Sequence, residues 1–185
     1  MSGDGIGRSK RNRLRILGVL VLVLGGIGLI GARAFSPKSS ADFHVVRLHG
    51  SAPNFDLSNL RDARKRLTLG NWRGRGLVLN FWASWCVPCR REMRAFEAVH
   101  RQNPSLGIVG IAANDDRSAA LTFARKVGVS YPLAFDPDGA TAQRFGAVGL
   151  PSTVFIDARG TLLERRLGEM TEKELQSRIA ELLAP

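Results

Sequence analysis

Residues 43–185 predict an α/β fold, and three features of the sequence carry that prediction. Two apolar runs, Leu77 to Ala83 and Leu106 to Ala113, have the length and composition of strands buried on both faces. Between them Met93, Phe96, Val99 and His100 recur every three or four residues, which puts them on one face of an amphipathic helix. A second helical stretch and further short apolar runs follow, so the elements alternate β-α-β-α.

At 185 residues and 44% hydrophobic, the chain holds one such domain and a short extra segment, which lies at the amino terminus. Residues 1–15 are polar and basic, and Ile16 to Ala32 is an uncharged run rich in Leu and Val with five glycines. As a helix this run spans about 25 Å, slightly less than the roughly 30 Å hydrocarbon core of a bilayer. Flanking residues or local thinning absorb such a mismatch. We read residues 16–32 as a retained membrane anchor. Ala32-Arg33-Ala34 also fits a signal-cleavage pattern, but the run exceeds the usual ~7–15-residue apolar core of a secretory signal. The basic cluster Arg8, Lys10, Arg11, Arg13 and Arg15 precedes it, so the positive-inside rule places the amino terminus in the cytoplasm and the domain outside. Residues 33–42, with Ser36, Pro37, Ser39 and Ser40, read as a linker.

Within the domain, Val45 to Leu48 and Phe55 to Leu57 flank the turn-rich Gly50 to Asn54 and suggest extended segments or a hairpin. Glycines lead from Thr68 to Gly76 into the first buried strand. The helix that follows should run from Pro88, near its first turn, to about Asn103, where Pro104 stops it. After the second buried strand, Asp115 and Asp116 offer a cap for a helix from about Ser118 to Lys126. Tyr131 to Phe135 suits a short strand, and Thr141 to Phe145 a short helix. Thr153 to Asp157 and Thr161 to Leu167 make an antiparallel pair through the turn Asp157-Ala158-Arg159-Gly160. Thr171 and Glu174 form a capping box for a last helix whose apolar face holds Leu175, Ile179, Leu182 and Leu183.

The chemistry centres on Trp85-Cys86-Val87-Pro88-Cys89, which contains both cysteines of the chain. Thiols at i and i+3 near a helix start share one face, so they can close and open a disulfide without moving the backbone. The other readings are half of a zinc site or inert packing. Zinc needs four ligands, and no second cysteine pair accompanies the three histidines, His44, His49 and His100, which we read as structural. The net charge of +11 does not indicate a nucleic-acid partner. Six basic residues against Asp4 fall in residues 1–33, and the positives after residue 60 are scattered among acids without interleaved aromatics.

Trp85 to Glu92 and Gly149 to Asp157 together resemble the membrane-anchored thioredoxin-like reductases of the TlpA and ResA type, over about residues 43 to 183. The resemblance implies a thioredoxin-like fold, a central mixed sheet with helices on both faces, in which residues 115 to 140 form a family-type helix-plus-strand insertion. It implies a cis peptide at Leu150-Pro151, in a loop that faces the dithiol and pairs with an extended substrate segment. Cys86 should lie exposed at a helix amino terminus as the nucleophile, its thiolate favoured by the free N–H groups there. Cys89 resolves the mixed disulfide. Asn80 stands where thioredoxin has a buried aspartate and cannot take a proton. The glutamate three residues after the second cysteine is matched by Glu92, which we expect to tune or accept the Cys89 proton. Trp85 is expected to shield the dithiol and meet substrate with Leu150 and Pro151, whereas Trp82 belongs to the core. Arg90 and Arg91 read as solvated helix arginines. Arg94 departs from the helix-bending proline of many relatives, and Ser152 from the glutamate of the cytochrome-maturation branch.

The resulting expectation is an extracytoplasmic thiol-disulfide oxidoreductase of the cell membrane, on the periplasmic side. It would use no cofactor beyond its redox-active disulfide and be kept reduced by a membrane electron donor. Candidate substrates are oxidised apocytochrome c cysteines and copper-site proteins of respiratory assembly. The competing readings are a copper-binding carrier using the same thiolates and a peroxidase on the same fold, whose Pro-x-x-x-Thr-x-x-Cys arrangement is missing before Cys86.

Overall fold

The structure, a computed structural model, describes residues 45–183. The segments read as basic arm, membrane anchor and linker, residues 1–15, 16–32 and 33–42, lie outside the described residues.

Alternation of side chains across the pleat organises the centre of the molecule. Strand β4 (Leu77–Trp82) is buried at every position. Its Leu77, Leu79 and Phe81 face one apolar layer with Val109, Ile111, Val154 and Ile156. Val78 and Trp82 face the other layer with Ile108, Ala112, Met93 and Phe96. Such a strand needs partners on both edges and cover on both faces, which is why it lies mid-sheet. It pairs in parallel with β5 (Gly107–Ala113) and antiparallel with β7 (Ser152–Ile156). Beyond β5 lies β6 (Leu133–Asp136), parallel to it, and beyond β7 lies the antiparallel β8 (Thr161–Leu167). With β1 (Val45–Ser51), β2 (Asp56–Asn59) and β3 (Arg66–Thr68), the mixed eight-stranded sheet has the order β1-β8-β7-β4-β5-β6-β2-β3.

The helices form where capping and apolar spacing coincide. Helix α1 (Cys89–Gln102) buries Met93, Phe96 and Val99 against the sheet and continues unbroken past the exposed Arg94. Helix α2 (Arg117–Val127) starts at Asp116, whose carboxylate accepts the N–H groups of Ser118 and Ala119, both at 2.9 Å, and ends at Gly128 with φ 83°. Helix α3 (Ala140–Arg144) contributes Ala142 to the opposite layer. Helix α4 (Glu172–Leu182) begins with the capping box of Thr171 and Glu174 and packs on α1. The insertion expected over 115–140 is thus α2 followed by β6. Arg117 ties it to the amino-terminal strands by donating to the carbonyls of Asn59 and Leu60 and to Ser58 Oγ.

Three local expectations are refined. Of the two readings of 45–48 and 55–57, extended segments or a hairpin, the first holds: they fall on β1 and at the start of β2, strands that do not pair with each other. β1 joins β8 at one edge while β2 joins β6 and β3 near the other, because the unpaired edges of the sheet, not the nearby turn, recruit them. The approach to β4 contains a strand, β3, and a 3-10 turn at Leu69–Trp72 that buries Trp72. Helix α1 starts at Cys89 with Pro88 as its cap, one residue later than expected.

Candidate active site at the dithiol

The carboxyl end of β4 runs into a turn in which the Cys86 N–H donates to the Ala83 carbonyl at 3.1 Å, and Cys89 opens α1. This places Cys86 and Cys89 with Cα atoms 5.4 Å apart, and they are joined as a disulfide. Cys89 is fully buried, and Cys86 is only 4% exposed, which corrects the expected exposed thiol. In the disulfide form both sulfurs belong to the core cluster of Trp82, Met93 and Phe96, with Leu150 packed against it. The exposed apolar surface is supplied by neighbours instead: Trp85 at 62%, Val87 at 76% and Val148 at 86%.

The turn is held from the insertion side. Ser84 donates its backbone N–H and hydroxyl to the Asp115 carboxylate, and the Trp85 indole N–H donates to the Asn114 carbonyl at 3.1 Å. On the other side Phe81 pairs with Ser152, so the residues preceding β7 arrive beside the end of β4. Leu150-Pro151 is cis. Pro151 is buried, and its carbonyl accepts the Gly168 N–H at 2.9 Å. Ser152 Oγ donates to the Gly149 carbonyl at 2.6 Å.

Glu92 follows Cys89 by three residues on α1, a spacing that puts both on one face. That face is turned inward, and Glu92 is fully buried. Its Oε2 accepts from Asn80 Nδ2 at 2.7 Å and its Oε1 from the Met170 N–H at 3.0 Å. Burial pushes the carboxyl up to about 8, against the opposing effect of these donors. Arg91 is exposed, as the sequence reading has it, and also donates two bonds to Glu169 at 2.8 and 2.5 Å, next to the residue whose N–H holds Glu92. Arg90 lies 5.4 Å from the centre of the Phe123 ring, which stacks on Trp82.

The structure therefore gathers Cys86, Cys89, Glu92 and the cis Pro151 at one end of the central strands, with Trp85 exposed at the rim and Leu150 half-buried. Sequence reasoning missed Ser84, Asn114, Asp115, Thr153 and Met170. Two signals in the sequence pointed toward these contacts. Asn80 is the one polar residue in an apolar run, and Asp115 is left over when Asp116 caps α2. Among the described residues no cluster of three or more His, Cys, Asp or Glu side chains could hold a metal ion.

Residues 49–165 match the AhpC/TSA family. The chain belongs to that family. It is 30% identical over 170 residues to the thiol-disulfide oxidoreductase ResA of Bacillus anthracis, covering 90% of this chain and 95% of that protein. Against ResA of Bacillus subtilis strain 168 the identity is 30% over 167 residues, covering 88% and 89%. Among solved structures, a DsbF homologue from Corynebacterium diphtheriae superposes with a TM-score of 0.68 at 25% identity, covering 80% of this chain and 97% of that one. A secreted Mycobacterium tuberculosis disulfide oxidoreductase homologous to DsbE gives 0.63 at 30% identity, covering 69% and 96%. The protein is a thiol-disulfide oxidoreductase with a thioredoxin-like fold, and the Cys86–Cys89 pair is its redox-active group.

Proposed function

We propose that this chain reduces disulfides in extracytoplasmic proteins, using Cys86 as nucleophile, Cys89 as resolving thiol and Glu92 as proton acceptor. The observation that carries the reading is a buried carboxyl held three residues beyond a reversible disulfide on the same helix face.

In the reduced protein the Cys86 thiolate attacks one sulfur of a substrate disulfide, and the other substrate sulfur leaves as a thiolate. Glu92 takes the proton from Cys89, whose thiolate attacks the Cys86 sulfur and releases the second substrate sulfur. The Cys86–Cys89 disulfide forms and the substrate gains two electrons. Glu92, with its proton affinity raised by burial, retains the proton in the oxidised form near neutral pH. When a donor thiolate attacks Cys86 and expels Cys89, the same proton returns to the leaving sulfur. One buried carboxyl thus serves as base in one half of the cycle and acid in the other.

The exposed Trp85, Val87 and Val148 favour a polypeptide substrate with apolar side chains near its cysteines. The candidate substrates are oxidised apocytochrome c and copper-site proteins of respiratory assembly. The basic arm at 1–15 and the apolar run at 16–32 support a single-pass anchor with a cytoplasmic amino terminus, followed by a linker at 33–42 and a periplasmic-side domain at 43–185. A membrane electron donor of thiol-reductase type then restores the dithiol.

Expression of the full chain with Cys89→Ala tests the reading, because the mixed disulfide on Cys86 can no longer be resolved. We expect thiol-reversible adducts with extracytoplasmic proteins whose cysteines are destined for haem or metal. Recovery of no disulfide-linked partner, with the Cys86→Ser control equally empty, overturns it.

A further inference from the structure

Asn80 was read from sequence only as the absence of an acid. Its surroundings assign it more. Asn80 Nδ2 donates to Glu92 Oε2 at 2.7 Å, and the Met170 N–H donates to Oε1, so both carboxyl oxygens are held as acceptors. This arrangement suits the carboxylate. The carboxylic acid carries an O–H that needs an acceptor of its own, because a buried polar group without a partner is destabilising. One buried acceptor at this place, Asn80 Oδ1, has no partner, and the Thr153 hydroxyl lies near enough to the Glu92 carboxyl to favour its ionised form as a further donor. Asn80 and Thr153 are directly paired across β4 and β7, so their side chains share the sheet face that looks onto Glu92. The cluster thus has donors in place for the ionised acid and an idle amide oxygen for the protonated one.

We propose that Asn80 is a positioning residue for Glu92, serving both protonation states. Its Nδ2–H holds the carboxylate, and after a half-turn about the Cβ–Cγ bond its Oδ1 receives the proton of the carboxylic acid. The inference rests on the role given above to Glu92 and deepens it. In the resolving step the Cys89 S–H bond breaks and an O–H bond forms on Glu92, with no change in the number of protons in the cluster. The amide rotation lets that O–H find an acceptor without opening the site to water. The other groups facing Glu92 are Glu169 from the β8–α4 loop, Tyr131 ahead of β6, Thr153 on β7 and Cys89 on its own helix. The Thr153 and Tyr131 hydroxyls can also donate and accept, but Asn80 is the side chain seated on a carboxyl oxygen, at 2.7 Å.

The test compares the parent with Asn80→Ala and Asn80→Asp by single-turnover reaction of the reduced protein with a small aromatic disulfide across pH. The first phase reports attack by Cys86 and the second reports resolution by Cys89. Asn80→Ala takes a charge-assisted donor from the carboxylate and only a weaker neutral acceptor from the acid, so the Glu92 pKa rises, resolution should slow about tenfold near neutral pH and its pH limb should move up by about one unit. Attack by Cys86 should stay within about twofold. Asn80→Asp keeps the shape and places two carboxyls together, so its limb should leave the parental midpoint as the pair shares a proton. In a Glu92→Gln background Asn80→Ala should leave resolution unchanged. Unshifted limbs, an equal loss in both phases, or a persisting effect in the Glu92→Gln background overturn the proposal. A carbon NMR titration of Glu92 in the oxidised parent and the Asn80 variants reads the same shift without any substrate. Absence of attack in the parent is therefore a failure of the reductase reading alone.

Discussion

Asp115 holds Ser84 twice, accepting its backbone N–H at 2.5 Å and its hydroxyl at 2.8 Å. The two residues come from different parts of the fold, Asp115 from the start of the insertion and Ser84 from the turn before the cysteines. The adjacent pair, Asn114 and Trp85, repeats the tie through the indole N–H. The insertion thus sets the position of the dithiol turn and of the exposed indole beside it.

Asp115→Ala should therefore cost about 2 kcal/mol of stability, the range for partly buried bonds to a charged acceptor. Denaturant unfolding measures that loss. Trp85 emission should shift to the red and its anisotropy fall, since the indole loses its anchored neighbour.

Glu92 should make stability depend on pH. A carboxyl raised from 4.5 to about 8 binds its proton more tightly in the folded state than in the unfolded chain. Its contribution is complete below pH 4.5 and is lost as the pH rises through about 8. The stability of Glu92→Gln relative to the oxidised parent should therefore increase between these limits, by on the order of 4 kcal/mol. A difference that stays flat across the window contradicts the assignment.

The apolar rim should matter for polypeptides and not for small disulfides. Trp85→Ala and Val148→Ser should each lower kcat/KM toward an oxidised polypeptide about tenfold, mainly through KM. Turnover of a small aromatic disulfide should remain within about twofold, since little of the rim touches it. Thermal unfolding of Val148→Ser should match the parent, because that side chain is 86% exposed.

Away from the site, Arg178 pairs with the fully buried Glu164 and ties α4 to β8. Arg178→Met leaves that carboxylate buried without a partner and should destabilise the fold by about 3–5 kcal/mol. Adding Glu164→Leu should recover most of the loss, and denaturant midpoints of the two variants measure both effects.

The legible parts of this molecule were those written in local pattern. The apolar runs of β4 and β5, the capping residues Asp116 and Thr171, and the α1 spacing all appear where periodicity and capping place them. The cysteine spacing likewise marked the dithiol. Less legible was anything decided by pairing between distant segments. Three residues of β3 carry too little pattern to stand out, and the edge that β1 joins depends on which strand lacks a partner. Cys86 was expected exposed because helix starts usually are, but Leu150 and the core close over the oxidised pair. The Met170 N–H on Glu92 had no sequence signal, since any residue there supplies an N–H. Arg91 showed its charge but not its partner, 78 residues away.

Asn80 also bears on how the sheet assembles. Every side chain of β4 is buried, and Asn80 is the only polar one among them. A slip of one residue in pairing would turn it from the Glu92 side into the layer of Leu79 and Phe81, with no partner for its amide. A strand of uniformly aliphatic residues would tolerate that error far better. The amide that attends the acid is thus also a proofreading mark for the folding chain, and catalysis and correct assembly constrain the same position.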